Sequence, residues 1–516
     1  MMIHRPRCVL RLALVLAIVV PGIGGAQATP YLPNDDIAYV YVEALMSRGM
    51  LRGLSALARP YAVGDVRAAL DSMTRPRGGM VIDGYVGALR QALARYELRK
   101  RGDSAAGLPF RAKATFDIYG TAQSSARREL MIGDSGRDFE PAMAGYFVFG
   151  GGHIAGSVRA LLDNRLNTDP EFPGRKDRSI AGRSEDGYIR GVWKYAEMAF
   201  GRVARSWGPT SLSGLQLGDD AYTYDHLFAR AGTSRINIST VIARLDNYTL
   251  APGLELSRYF SVHRLAVRRG RFEGALSEAF VYSGVGRGLE FSLVNPLNVY
   301  GLSWRNERTD GNLNFGGELA YRSQFGTFAG HILLDDIQID ECDTVCNEPS
   351  SYGFTVTAEG VPAPGAQRLF ASYTKVSNLA YHTPNVGERY AIYSVGLGRG
   401  FSDYDELRVG VDVALIPSTP VRVYVARRRQ GEGDYRKPYP LNSVLDRTPG
   451  FLSGIVWTTN RAGITGAAML GRDFQVTGDA GINQNTSRGH REGYDKTIFE
   501  GRAKVIWVPR WLITFQ

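Results

Sequence analysis

From Phe110 onward the chain runs in short alternating segments, and this alternation limits its possible folds more than any other feature. In DELRVGVDVALIP, Leu407, Val409, Val411, Val413 and Leu415 share one face of an extended strand, and Arg408, Gly410, Asp412 and Ala414 share the other, because strand side chains alternate with period two. TIFEGRAKVIWVP repeats the arrangement, with Phe499, Gly501, Ala503, Val505 and Trp507 opposing Glu500, Arg502, Lys504 and Ile506. A soluble β-sandwich also alternates. Three further features favour a membrane barrel. The segments reach about nine to eleven residues, enough to cross an outer membrane at a tilt. Aromatics gather at segment ends, at Tyr146 and Phe149, Trp193 and Tyr195, Tyr321 and Phe325, Tyr390 and Tyr393, and Trp507 and Trp511, where interface girdles belong. The last run, WLITFQ, alternates Trp511, Ile513 and Phe515.

The expectation is an all-β transmembrane barrel over residues 106–516. At about 22 to 25 residues per strand with its share of loop, it holds about sixteen to eighteen antiparallel strands, eighteen being favoured. The up-and-down count loses parity near GLGRGFSDYDEL. Short turns at Gly150–Gly152, Arg268–Arg271 and Gln324–Thr327 alternate with long connections at Asn164–Asp186, Trp207–Tyr224, Gly284–Gly311, Ile339–Ser350 and Gln430–Gly450. Barrels of the bacterial outer membrane place such long connections outside the cell.

The N-terminus reads differently. Residues 1–28 have basic residues Arg5, Arg7 and Arg11, an apolar run and Ala26-Gln27-Ala28, the layout of a secretory signal peptide. Residues 29–105 carry helical periodicity, with Asn34, Asp35 and Asp36 ahead of Ile37, Val40, Tyr41, Ala44 and Leu45, and read as a small helical periplasmic module. Removing the signal lowers the formal charge from +10 to +7, and basic residues scattered along strands give no footprint for nucleic acid. Of the cysteines, Cys342 and Cys346 remain, in DECDTVCNEP, and are expected to pair as a disulfide in an oxidising compartment.

Catalytic signatures are absent: the sequence holds no G-x-S-x-G, H-E-x-x-H or G-x-x-x-x-G-K-[ST]. Asp219, Asp220 and His226, with Ser206, could be read as an acid–base or nucleophilic set, but the expectation is solvated loop residues and no enzyme. Asp335, Asp336, Asp340, Glu341 and Asp343 crowd carboxylates without a recognised calcium spacing, so no metal and no cofactor is expected. Sugar binding suits the loops better, because they pair aromatic faces with hydrogen-bonding groups. Arg205, Trp207, Asp219, Asp220, Tyr222 and Tyr224 supply one such group, and Tyr300, Trp304 and Asn306 another.

LMSRGMLRG with RPYAVGDVRAAL, then GRVARSWGP, LQLGDDAYTYDHL, HRLAVRRGRFEGALSEAFVY, LVNPLNVY and GFSDYDEL follow one another in an order that resembles the capsule assembly protein Wzi family. The resemblance implies an eighteen-strand outer-membrane barrel with a periplasmic helical bundle, long extracellular loops and a lectin-like role in holding capsular polysaccharide. It also implies architectural roles for Arg202, Gly208, Pro209 and Glu278: Gly208 and Pro209 shape a turn, and Arg202 and Glu278 pair across the lumen. The reading carried to the structure is a monomeric, non-enzymatic protein that binds and assembles surface polysaccharide, with the bilayer and the barrel-assembly machinery as its other partners. A channel for sugars or anionic solutes is the alternative.

Overall fold

The computed structural model describes residues 27–73, 79–98, 110–134, 138–307, 309–336, 349–365, 367–442, 448–509 and 513–515. The signal peptide, Cys342, Cys346, Asp340, Glu341, Asp343 and Trp511 lie outside them.

Eighteen strands follow one another up and down: β1 (Arg111–Gln123), β2 (Asp138–Gly151), β3 (Ile154–Asp163), β4 (Gly182–Val192), β5 (Ala196–Arg202), β6 (Asp225–Gly232), β7 (Ile236–Arg244), β8 (Leu254–Arg269) and β9 (Phe272–Val285) form the first half. The second half is β10 (Asn312–Ser323), β11 (Gly326–Asp336), β12 (Ser351–Pro362), β13 (Arg368–Val376), β14 (Tyr404–Ile416), β15 (Thr419–Gln430), β16 (Trp457–Leu470), β17 (Phe474–Thr486) and β18 (Lys496–Trp507, resumed at Ile513–Phe515). Each pairs antiparallel with the next, and β1 pairs with β18 through Ile118 and Trp507 to close the ring. Closure satisfies every ladder and leaves no open edge, the condition for crossing lipid with strands.

The alternation read from the sequence sorts the two faces. Leu407 and Val409 of β14 are exposed on the outside, as are Phe499 and Val505 of β18. Between them Arg408 pairs inward with Glu406 at 3.1 Å, and Asp412 accepts from Arg422 at 2.6 Å. Apolar side chains face the bilayer and paired charges face the lumen, so the chain is an outer-membrane β-barrel. Two girdle assignments are corrected. Tyr146 points into the lumen under the Arg95 guanidinium, 4.4 Å from its ring centre. Tyr390 is fully buried and stacks on Tyr381. An aromatic at a segment end can sit on either face, and here charge on the neighbouring inner surface selects the inside.

The first and last described residues lie at the short-turn end of the barrel, Ala28 bonded to Gly152 and Phe515 paired with Ala112, and the helical segment docks there. Its helices are α1 (Ala38–Met46), α2 (Val63–Asp71) and α3 (Met80–Ala94), which pack Tyr41, Val42, Leu45, Val66, Leu89 and Leu93 into one core. Asp36 accepts the Ala38 amide at 2.8 Å, as an entry to α1 requires. The Tyr41 hydroxyl donates to the Ser418 carbonyl, Gln91 donates to that of Gly471, and Arg322 donates to those of Arg52 and Leu54. Deeper in the lumen Arg159 holds Asp35 at 2.7 and 2.9 Å, and Arg95 holds Asp117 at 2.6 Å. Burial alone would raise the Asp35 carboxyl, but the charges of Arg159 and Lys504 outweigh it and hold it below its usual range.

Glu43 of α1 behaves oppositely. Burial pushes its carboxyl up to about 7, with Arg59 and Arg422 opposing the rise and Glu359 and Asp412 reinforcing it. A raised carboxyl means that the docked state holds its proton more tightly, so this contribution to docking is full below the unfolded value of about 4.5. It is then lost as pH rises through about 7. Hydrogen exchange of the α1 amides, corrected for intrinsic rate, is expected to quicken between pH 5 and pH 8 in the native protein. In Glu43→Gln that pH dependence should be flattened; an unchanged slope would contradict the assignment.

Candidate functional site in the lumen

The segment after β5 does not lie on the cell exterior as the loop lengths predict. It leaves the outer end of the barrel and turns into the lumen, where Ser206 and Trp207 pair antiparallel with Arg59 and Ala58 of the N-terminal segment. The Gly208 amide donates to the Leu57 carbonyl at 2.9 Å, and the Trp207 amide to that of Leu217 at 2.8 Å. Gly208 is required by geometry: its φ is +133°, and a Cβ there would sit 2.7 Å from the His331 ring. Trp207 is 4% exposed, packed with Leu215, Leu217, Tyr381 and Tyr390. A side chain so enclosed holds the segment in place and offers no face to a sugar.

A second insertion, residues 377–403, enters between β13 and β14 and includes the two-residue hairpin Ala391–Ile392 with Val395–Gly396. Its buried Tyr381 and Tyr390 hydroxyls donate to the Leu215 and Gln216 carbonyls at 2.7 Å each, tying the two insertions together. This hairpin is the cause of the lost parity near GLGRGFSDYDEL, because its strands lie in the lumen and cross no membrane.

The other predicted site residues are dispersed. Arg205 donates to the His226 ring at 2.9 Å and lies 3.7 Å from the centre of the Phe228 ring. His226 is the second residue of β6 and also contacts the Tyr224 carbonyl, and Tyr224 packs on its ring. Asp219 pairs with Arg59 and accepts from Asn34, Asp220 accepts the Gly400 amide, and Tyr222 donates to Asp169 between the Arg128 and Arg183 guanidiniums. These bonds hold loops together and form no catalytic set. Arg202 pairs with Asp225 at 2.8 Å, while Glu278 faces the outer wall and contacts His263 at 3.1 Å. The expected pairing of Arg202 with Glu278 across the lumen is therefore corrected. Tyr300, Trp304 and Asn306 lie on a helix against the outside of the barrel, with the wall between them and the inserted loops. Asp335 accepts from the Tyr381 amide at 2.6 Å and from Ser351. Among the described residues no group of three or more ligands could hold a metal.

What the insertions enclose is a chamber of about 390 Å³ against the inner wall of β13 to β15. Arg399 comes from the second insertion, Arg408 and Arg428 from the wall, Arg59 from the N-terminal segment and Arg128 from the β1–β2 loop. Arg59 pairs with Asp219, Arg128 with Glu171, Arg408 with Glu406, and Arg428 lies 3.6 Å from Glu406. Arg399 has no ion pair among the described residues; its longest reach is 3.5 Å to the Thr355 hydroxyl. The Nε–H groups of Arg59, Arg399, Arg408 and Arg428 are buried with no acceptor among the described residues, a costly arrangement. Burial and the neighbouring Glu406 carboxylate raise Glu129, which weakens the acidic side of the balance.

A second cavity of about 470 Å³ sits toward the outer end, lined by Arg127, Tyr393, Arg436, Trp457 and His490 among others. It shares Glu171 and Phe401 with the chamber, so the two adjoin. Arg408 was legible in the sequence as a polar-face residue of an alternating strand; Arg59 comes from the N-terminal segment and Arg399 from the second insertion, at positions that carry no periodic signal.

No family model matches the chain, and no curated protein does. Solved structures similar to it include the Acinetobacter baumannii OccAB4, at 11% identity and a TM-score of 0.45, over 79% of this chain and 99% of that one. The Pseudomonas aeruginosa OpdK with vanillate gives 12%, 0.45, 79% and 99%, and the OpdQ of the same organism 10%, 0.39, 79% and 97%. These neighbours are porins of the OprD and Occ type, not capsule assembly proteins. The expected membership of the Wzi family is corrected, since no family model matches, and the polysaccharide binding and assembly it implied is not carried further.

Proposed function

We propose that the protein is an outer-membrane channel for small anion-bearing solutes, which enter through the outer cavity and are held in the arginine-lined chamber. The observation that carries this reading is Arg399, which lines the chamber and has no ion pair among the described residues, while the other four lining guanidiniums each lie against a carboxylate. Carboxylate or phosphate oxygens would accept charge-assisted hydrogen bonds from the Arg399 guanidinium, and low-dielectric walls strengthen such a field. Eighteen strands enclose a wide lumen, which the N-terminal segment and the two insertions narrow to these cavities. The N-terminal segment lies across the short-turn end, so conductance of the full chain should be small.

The test is the reversal potential of the full chain in planar bilayers under a salt gradient. Anion preference is expected, and Arg399→Gln should reduce it markedly while leaving the barrel folded. Cation preference in the native protein, or no change in Arg399→Gln, would contradict the reading.

A further inference from the structure

The connection from β9 to β10 leaves the outer end of the barrel and folds back over its outside wall. It carries two short helices, α4 (Phe291–Val294) and α5 (Tyr300–Asn306). On β9 the outward positions run Phe272, Leu276, Glu278, Phe280 and Tyr282, opposite in facing to Glu273, whose carboxylate accepts the Ala56 amide inside the lumen. Leu276 is 70% exposed and Leu319 of β10 is 61% exposed, yet Phe280 and Tyr282, on the same outer face, are 0% exposed. They are covered by Leu293 and Tyr300 of the connection, with Leu313 beside them. Gly301 lies so close that a Cβ there would meet the Phe315 ring at 2.9 Å.

We infer that residues 289–306 form a strap immersed among lipid acyl chains in the outer half of the bilayer, its apolar face contacting lipid. Four observations support this. First, the strap's free face is apolar: Phe291 and Leu297 are each 78% exposed, Leu302 59% and Trp304 47%, continuous with the lipid-facing Leu276, Phe315 and Leu319 below. Second, the height is right. An apolar band about 25 Å tall, crossed at about 40° with about 3.3 Å per residue, takes about ten residues of strand. Counted from the Phe272–Tyr321 aromatic pair at the short-turn end, that span includes Glu278 to Tyr282.

Third, the strap bonds many of its own polar groups within its two short helices and the turns around them, which the lack of water in a bilayer core demands. The Val294, Asn295, Asn298, Ser303 and Glu307 amides all bond to carbonyls within the connection. Asn298 donates to the Ser292 carbonyl and the Ser303 hydroxyl, and the Tyr300 hydroxyl to the Leu293 carbonyl. Fourth, it shields a polar pair that would otherwise face lipid. Glu278 and His263 contact each other at 3.1 Å on the outer wall; Glu278 accepts the Tyr300 amide at 2.7 Å, and the Tyr300 ring lies 4.3 Å from that of His263. Charged groups stand at the strap's two ends: Arg287 pairs with Glu290 at one, and the exposed Arg305 and Glu307 lie at the other.

The test places a thiol on the strap of the full chain, as Leu297→Cys in a background with Cys342→Ser and Cys346→Ser, labelled with a fluorophore. The protein is reconstituted in phosphatidylcholine vesicles containing acyl-chain nitroxide lipid, with Lys176→Cys in an exposed loop as the control. The strap label should be quenched by the nitroxide lipid and shielded several-fold from iodide relative to the control. Iodide access equal to the control, or shielding from both quenchers as in contact between two copies, would overturn the inference. A second arm keeps the native cysteines: brominated lipid should quench native tryptophan emission, and Trp304→Phe should remove part of that quenching. An unchanged quenching profile would also overturn it.

Discussion

Arg264→Met is expected to destabilise the folded barrel by about 3–5 kcal/mol, the range for breaking one half of a buried ion pair. Arg264 on β8 meets Glu318 on β10 through two bonds of 2.9 and 2.7 Å, and the two residues are 3% and 6% exposed. Removing the guanidinium strands a carboxylate in the lumen wall with its remaining contacts unable to neutralise it. The double variant Arg264→Met with Glu318→Leu removes both charges together, and its stability should return close to native. Equilibrium urea unfolding of the refolded barrel measures both. A single variant as stable as native, or a double variant no better than the single, would contradict this assignment.

The second large effect is expected at Trp207. A buried aromatic cut to alanine costs about 3–5 kcal/mol, but here the loss falls on the inserted segment rather than on the ladder of the wall. Trp207→Ala should therefore leave the β-sheet circular dichroism of the barrel intact and free the segment from Ala58 and Leu217. The Arg264 guanidinium, 5.7 Å from the indole ring centre, would lose that neighbour too. Faster hydrogen exchange across residues 206–217 and a several-fold rise in bilayer conductance are the expected readings. Native-like exchange in that segment would show that Trp207 does not hold it.

The barrel was legible because lipid and lumen impose opposite chemistry on alternate residues, and Leu407 to Asp412 record that opposition one residue at a time. The helical segment was legible for the same kind of reason, through the spacing of Tyr41, Val42 and Leu45. Loop length was a poorer guide. Trp207–Tyr224 was expected outside because the connection is long, but Trp207, Leu215 and Leu217 give it a reason to fold inward. That reason exists only once Tyr381 and Tyr390, far away in sequence, are brought to meet them. Arg59 and Arg399 were missed on the same ground, since neither lies on a periodic element. Tyr300, Trp304 and Asn306 were read as a sugar platform because aromatics beside amides serve sugars well. Their place on the outside wall depends on the fold-back of a connection whose direction no local spacing records. The motifs that suggested capsule assembly are short, and several of them, including LVNPLNVY and SWGP, lie in these strap and insertion segments.

The central claim is that the lumen conducts small anions, and single-channel recording of the refolded full chain tests it most directly. The account predicts a small, discrete, anion-preferring conductance that millimolar concentrations of a small dicarboxylate reduce by occupying the chamber. A membrane containing folded protein that shows no current above the bare bilayer, in the native chain and in Trp207→Ala alike, would contradict it.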